Sequence, residues 1–485
     1  MHTPTPEQSL IIEAARTTSD NLIINALAGA AKTTTLEMIC HAITGIPILS
    51  LAFNKRIADE MAKRLPSHVE VRTLNALGHR VWAQATNKRL IVKFDKMHSI
   101  VRSIIDELPR SAREEAYDDI ADTLRWLRYA KRDGYIPLQW IGIGHAITER
   151  QAWYDQYDEE PTKLQQDIIE QAMTASIRNA YAGEIDFDDQ IYMPVCFGGS
   201  WPKFPLVLCD EVQDLSPINH VMLEKLVHQR VIVVGDPWQS IYGFRGSVSN
   251  GMEALRVKFN MRELTLSTTF RVPKAGVERA WFRVPHMRAP EWASDGHVEV
   301  LAEWESRAIS DYSAIICRNN APLFSCALRL IKSGRAIKLV GMDIGPGLVR
   351  VMKKLGPPSL ASRGIEDALE IWLKREIAHA KRAETVYERY ECLRVLACRE
   401  DCRDLGQAIA FAEALFKQDG PIQLLSGHKA KGLEWNTVYH LDPWRIPSKF
   451  AKEGTEEWEQ EMNVRYVIET RFKENLFLMN LEDMK

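Results

Sequence analysis

Short apolar runs that end in turn residues and lead into amphipathic stretches recur at both ends of this 485-residue chain. Four of them, Asn21–Asn25, Ile46–Phe53, Leu206–Cys209 and Val231–Val234, are too short for helices and too continuously apolar for half-exposed strands. They predict buried strands of one parallel sheet. Ala314–Cys317, Ile337–Val340 and Thr437–Leu441 repeat the pattern and predict a second sheet. Between the runs, about residues 84–184 and 346–418 show helical periodicity and are rich in Ala, Arg, Glu and Leu. The pattern therefore predicts an α/β chain with two parallel-sheet cores, each carrying a mainly helical insertion. Residues 1–83 and 185–260 form the first core and 84–184 its insertion; 261–345 and 419–485 form the second core and 346–418 the second insertion. With no internal repeat or low-complexity tract, the insertions are expected to leave and re-enter the cores through short loops.

Composition agrees with several compact units rather than one, at roughly 150 residues per domain. A hydrophobic fraction of 46% with 26% charged residues excludes a disordered chain. The net charge of -3 excludes a generally polyanion-binding surface, so any nucleic acid must be held by a local cleft. The N-terminal MHTPTPEQ has no apolar signal core, and no stretch approaches the roughly 20 apolar residues of a membrane span, so the expected location is the cytoplasm or the nucleoid. The eight cysteines lie scattered in apolar runs, as reduced buried thiols do. Cys392, Cys398 and Cys402 are spaced to share a helix face and contribute to a metal site, but the lack of a nearby fourth ligand favours a structural role.

Candidate chemistry begins at Asn25–Thr35, which follows a strand and opens a helix, the setting of a phosphate-binding loop. There the backbone N–H groups of Ala28, Gly29, Ala30 and Ala31 and the Thr34 position surround phosphates, Lys32 supplies a mobile cation and the Thr33 hydroxyl a ligand for Mg²⁺. The standard pattern, G-x-x-x-x-G-K-[ST], has glycines where this chain has Ala26 and Ala31, and alanine resists positive φ. A small-residue turn into an amphipathic helix is the alternative. Leu206–Asp214 delivers two adjacent acids from a strand end: Asp210 suits Mg²⁺, and Glu211 suits a general base for an attacking water. Taken alone, this is also the form of an ordinary acidic strand-to-helix turn. In Val233–Gly246, Gln239 is placed to sense a γ-phosphate, while Tyr242, Phe244 and Arg245 offer stacking and charge to nucleic acid a few residues on.

In this order the motifs resemble the UvrD/Rep family of DNA helicases, with particular similarity to F-box-type and phage-like members. The resemblance implies two RecA-like cores, ATP and Mg²⁺ as cofactors, single-stranded DNA and single-strand/duplex junctions as partners, and 3′ to 5′ travel. It implies that Gln8 in Thr5–Gln8 reads adenine. Leu51–Lys55, with Phe53 and Asn54, and Thr73–Leu77, with Thr73 and Asn75, look like strand-binding motifs, and Ile185–Asp189 like the acidic motif that closes the first insertion. Thr268–Arg271 looks like the element in which Phe270 stacks on adenine and Arg271 reaches the γ-phosphate. Ser426–Trp435 is similar to T-x-H-x-x-K-G-L-E-[FW], which places His428 on the strand and Glu434 at the nucleotide, and Val464–Arg471 implies Arg471 as a second arginine finger. Arginines of one core facing phosphates held by the other would let ATP draw the cores together. Asn75 and Ser426 depart from the family's histidine and threonine but keep hydrogen-bonding capacity. The second insertion, at about 70 residues, is shorter than the family's usual one and must bury a smaller core. With only residues 472–485 after the last motif, the nuclease domain fused to some relatives is not expected in this chain.

Other signals stay open. Phe53, at the end of an apolar strand, suits core packing as well as base stacking. Arg125–Arg132 combines basic and aromatic residues: one reading grips duplex, the other packs Trp126 and Tyr129 inward and leaves the basic residues solvated. Trp201, Trp281, Trp292 and Trp304 sit in no motif and are assigned no function.

Overall fold

The structure, a computed structural model, describes residues 3–52, 54–157, 160–241, 251–341, 344–379 and 383–485. It divides into two compact units: Met1–Ala26, Ala31–Pro237 and Gly243–Leu266 make up one, and Leu27–Ala30, Trp238–Tyr242 and Ser267–Lys485 the other.

In the first unit the apolar runs become β1 (Leu22–Ala26), β2 (Ile48–Leu51), β3 (Val69–Arg72), β4 (Ile91–Val92), β5 (Glu184–Ile185), β6 (Phe204–Cys209), β7 (Val227–Gly235) and β8 (Arg262–Leu266). Six of these form one sheet in the order β3-β2-β6-β7-β1-β8, with every pairing parallel. Both faces of β1, β2 and β7 are covered, which is why Leu22–Ile24, Ile48–Leu51 and Val231–Val234 carry no apolar/polar alternation. The sequence reading ends this core at residue 260, yet Arg262–Leu266 runs along β1 with Arg262 opposite Leu22. β8 is an edge strand in which only Leu266 is buried, so no continuous apolar run announces it.

Helices Lys96–Asp106, Arg110–Asp118, Ile120–Arg132, Arg150–Asp155 and Lys163–Ala182 follow, with β4 and β5 paired as a separate ladder. The longest helix is punctuated at both ends: Thr162 and Gln165 form a reciprocal capping box, and Gly183 at φ 100 takes the left-handed stop. In Arg125–Arg132, Trp126 packs inward, edge-on to Trp153 and Tyr157. The expectation that the basic residues are solvated fails at Lys131, which is 1% exposed. Its ammonium pairs with Asp186 and, at 2.7 Å, with Asp189, while Lys96 reaches Asp189 at 2.5 Å and the Ser176 carbonyl at 2.8 Å. The acidic motif is thus the carboxylate half of a buried ion cluster. Removing one member leaves its partners buried without compensation, so Lys131→Met is expected to lower stability by about 3–5 kcal/mol in denaturant unfolding. Arg128→Met, at an exposed position of the same helix, should change it by less than about 0.5 kcal/mol.

The second unit contains β9 (His297–Leu301), β10 (Ala314–Cys317), β11 (Ile337–Leu339), β12 (Ile422–Ser426), β13 (Trp435–Leu441) and β14 (Phe472–Met479), ordered β11-β12-β10-β13-β14-β9 and again all parallel. Helices Ile344–Lys354, Ser362–His379, Ala383–Ala397 and Leu405–Leu415 pack Leu348, Leu369, Leu393 and Leu405 into the same core as the sheet residues Ile315 and Leu424. Cys392 is buried, and Cys398 and Cys402 are half-buried free thiols. Burial pushes the Cys398 thiol up to about 11, away from the thiolate a metal needs. Among the described residues no group of three or more His, Cys, Asp or Glu side chains is arranged to hold a metal. Among them, too, no helix is long and apolar enough to cross a membrane.

Candidate active site

Residues 27–31 join β1 to the helix Lys32–Ala42. Ala26 still lies in the extended backbone of β1 opposite Leu266, where alanine carries no conformational penalty, so the first departure from the glycine pattern is harmless. Ala31 is different. At φ 55 and ψ 43 it is left-handed and caps the helix, a conformation that costs an L-residue about 1–2 kcal/mol and glycine almost nothing. Gly29, at φ 74, is required twice over, because a Cβ there would lie 2.6 Å from Thr269 Oγ1 and 2.7 Å from Arg271 Cβ. Its carbonyl accepts from Phe270 N–H at 2.9 Å, and Ala28 N–H donates to the Tyr466 hydroxyl at 2.8 Å.

In the first unit, β6 carries Asp210 and Glu211 to its C-terminal end. Thr33 Oγ1 donates to Asp210 Oδ2 at 2.6 Å, and Lys32 Nζ lies 3.5 Å from Glu211 Oε1. Glu211 is also left-handed, at φ 51, and its Oε2 accepts from Gln213 Nε2 at 2.6 Å. Gln213 Oε1 in turn takes Asp236 N–H at 3.0 Å, which ties the acid pair to the end of β7. Burial first, and then the charge of Glu211, push the Asp210 carboxyl up to about 6 against the pull of the Thr33 hydroxyl and Lys32. Two adjacent carboxylates and a hydroxyl are hard oxygen donors, and their crowded negative charge is what a divalent cation relieves. The set fits Mg²⁺. Gln8 is buried: its Oε1 accepts Thr5 N–H at 3.0 Å, and its Nε2 donates to Thr35 Oγ1 at 3.0 Å, which fastens the first helix to the one after the loop.

In the second unit three of the singled-out strings converge. The Gln239 carbonyl accepts from Lys431 Nζ at 2.6 Å, and its Oε1 accepts from Arg471 Nη2 at 3.4 Å. Arg471 is buried, with Nε on the Val467 carbonyl at 2.9 Å. Arg271 lies 3.6 Å from Glu434, and its buried Nε has no hydrogen-bond partner among the described residues, a donor suited to an anion. Desolvation works against the charge of Glu434, but Lys473 and Arg271 outweigh it and hold the carboxyl below its ordinary value. Phe270 is 39% exposed.

Two residues beside Arg471 escape motif reading. Tyr466 reaches the loop backbone at Ala28. Glu469, fully buried, accepts a bidentate pair from Arg279 at 2.8 and 3.0 Å and a third bond from Arg465 at 3.1 Å, which fixes the end of the helix that leads into Arg471. Burial alone would raise its carboxyl; His440, Arg465 and Arg279 together bring it down to about 2. The available signal is a glutamate inside the apolar run Val467-Ile468-Glu469, which marks a buried ion pair.

Of the strand candidates, Asn54 and Thr73 cap helices, accepting Ile57 N–H at 3.0 Å and Ala76 N–H at 3.2 Å. They follow the neighbouring strands β2 and β3 at their C-terminal ends, the side on which parallel sheets bind ligands. Asn75 Nδ2 donates to the Phe187 carbonyl at 3.1 Å. His428 is half-buried on the short helix after β12, and Thr34 is half-buried in the first turn after the loop. Phe53, Tyr242, Phe244 and Arg245 lie outside the described residues.

The model of the UvrD/REP helicase N-terminal domain matches residues 5–260, and that of the UvrD-like helicase C-terminal domain residues 374–483. The chain belongs to the UvrD/Rep helicase family. It is 23% identical over 532 residues to F-box DNA helicase protein 1 of Schizosaccharomyces pombe, covering 98% of this chain and 57% of that protein. To the ATP-dependent DNA helicase PcrA of Leuconostoc citreum it is 23% identical over 392 residues, 68% of this chain and 49% of the relative. To the ATP-dependent DNA helicase UvrD1 of Mycobacterium leprae it is 25% identical over 268 residues, 48% and 33%. The chain spans about half the length of the first two of these relatives.

For a member of this family, Ala31 yields a specific expectation. Ala31→Gly relieves the left-handed strain, so it should raise stability by about 1 kcal/mol in thermal unfolding and leave ATPase activity equal or higher. A large loss of stability would mean that the chain does not turn left-handed there, and a large loss of activity that residues 27–33 are not the phosphate loop.

Proposed function

We propose that the chain is an ATP-dependent DNA helicase that couples ATP hydrolysis to 3′ to 5′ movement along single-stranded DNA and to strand separation at single-strand/duplex junctions. The observation that carries this reading is the pairing of Thr33 with Asp210 at 2.6 Å and of Lys32 with Glu211 at 3.5 Å, loop cation and hydroxyl set against an acid pair. Thr33 and Asp210 would hold Mg²⁺, which when bound screens phosphate charge. Backbone N–H groups of the loop and the ammonium of Lys32 carry the phosphates, and Glu211 takes the proton of the attacking water. Arg271 and Arg471 are cations suited to charge-assisted contacts with phosphate, and Gln239, bonded to both Lys431 and Arg471, links that cation to the segment that follows it. Asn54, Thr73, Asn75 and His428 contribute to the strand track. The polarity rests on the resemblance of the Gln239–Tyr242 string to the 3′ to 5′ branch of the family.

An ATPase titration with single-stranded DNA, duplex DNA and single-stranded RNA tests the reading. Strong stimulation by single-stranded DNA is expected; tight strand binding without ATP turnover would overturn it.

A further inference from the structure

Trp292 belongs to no motif, yet it is 71% exposed and its ring faces that of Phe270, with centroids 6.3 Å apart and planes 26° from parallel. An exposed indole on a loose loop needs no explanation, but this loop is pinned. Ala293 N–H closes a turn on the Pro290 carbonyl at 3.0 Å, and Lys274 and Ala275 N–H groups hold Ser294 and Asp295 at 3.0 and 2.9 Å. On the other side Thr269 N–H donates to Arg288 at 2.9 Å, and Arg288 N–H returns to Ser267 at 3.0 Å. These bonds hold the backbone from which Trp292 faces Phe270, and the Phe270 N–H is itself bonded to Gly29 of the candidate phosphate loop.

We infer that Trp292 is the second ring of the adenine-binding element, so that the base of the nucleotide is held between Phe270 and Trp292. The inference rests on the ATP-driven reading above. With centroids 6.3 Å apart and planes 26° from parallel, the two rings form an offset pair that must slide and open to roughly twice a stacking distance to admit a flat heteroaromatic ring, and each face then stacks. The tie between Phe270 and Gly29 favours the base of a nucleotide whose phosphates sit on that loop over a base of the DNA strand. Trp292 thereby contributes to holding the base and not the phosphates.

The test compares calorimetric binding of ADP and of inorganic tripolyphosphate, with Mg²⁺, to the full chain and to Trp292→Ala and Trp292→Phe. One lost stacking face should weaken ADP binding about 10-fold in Trp292→Ala and much less in Trp292→Phe, with tripolyphosphate binding changed less than about 2-fold. Unchanged ADP binding, or equal weakening of both ligands, would overturn the inference, as would a wild-type chain that binds no ADP. Wild-type ATPase activity with single-stranded DNA, measured alongside, reports separately on the motor reading: turnover together with an unaffected Trp292→Ala sinks only the clamp.

Discussion

Lys32→Ala is expected to lower DNA-stimulated ATP turnover by about 10²–10³-fold, the loss that follows removal of one preorganised charge contact to a developing anion. Lys32 opens the helix after the loop, its side chain is largely buried, and its ammonium lies 3.5 Å from Glu211. With its side chain only 12% exposed, this cation is worth more than a surface lysine. The variant also leaves Glu211 and Asp210 without their nearest positive neighbour, so nucleotide binding should weaken together with turnover. Binding of single-stranded DNA without nucleotide should be unchanged, because Asn54, Thr73 and Asn75 are held by separate capping and carbonyl contacts. Steady-state ATPase at saturating DNA and nucleotide-free strand binding check both halves. Turnover within a few-fold of wild type would show that residues 27–33 do not serve phosphates.

Glu211→Gln separates binding from chemistry. The amide is nearly isosteric and can keep the contact with Gln213, but it cannot take a proton from water, so hydrolysis should fall by about 10²–10⁴-fold while ATP still binds. Removing one of two adjacent carboxylates also takes away a negative charge that would repel the triphosphate, so affinity for ATP should be retained or improved. Single-turnover hydrolysis and equilibrium ATP binding give the two readouts. Equal losses in binding and hydrolysis would assign Glu211 a structural role at its left-handed turn.

Much of this arrangement is legible in the sequence because buried parallel strands are continuously apolar. β1, β2, β6, β7, β10 and β13 stand out for that reason, and the motif strings follow them directly. The edge strand β11 shares the signal, but the edge strands β8 and β9 and the interior strand β14 do not. In β8 polar residues occupy three of five positions, His297 and Glu299 interrupt β9, and Lys473-Glu474-Asn475 follows Phe472 at the start of β14, so pattern alone passes over them. The site shows the same division. Lys32 and Asp210 stand out as candidates because they follow apolar strands in a loop-to-helix turn and at a strand end, and Arg471 because its string resembles a family motif. The left-handed turn at Ala31 is invisible, since alanine gives no sign of positive φ. Lys131 misleads because a basic residue on an amphipathic helix reads as solvated unless its partners, Asp186 and Asp189, are known to fold back on it. Trp292 has meaning only once a distant pair of backbone bonds sets it against Phe270.

The most direct test of an ATP-driven motor on single strands is strand separation of two otherwise identical duplexes, one with a 3′ single-stranded tail and one with a 5′ tail, with Mg²⁺ATP. Separation of the 3′-tailed duplex alone, absent without ATP and in Lys32→Ala, is the expected result. Separation of the 5′-tailed duplex alone would contradict the polarity, and separation of neither, together with no DNA-stimulated ATP hydrolysis, would contradict the motor itself.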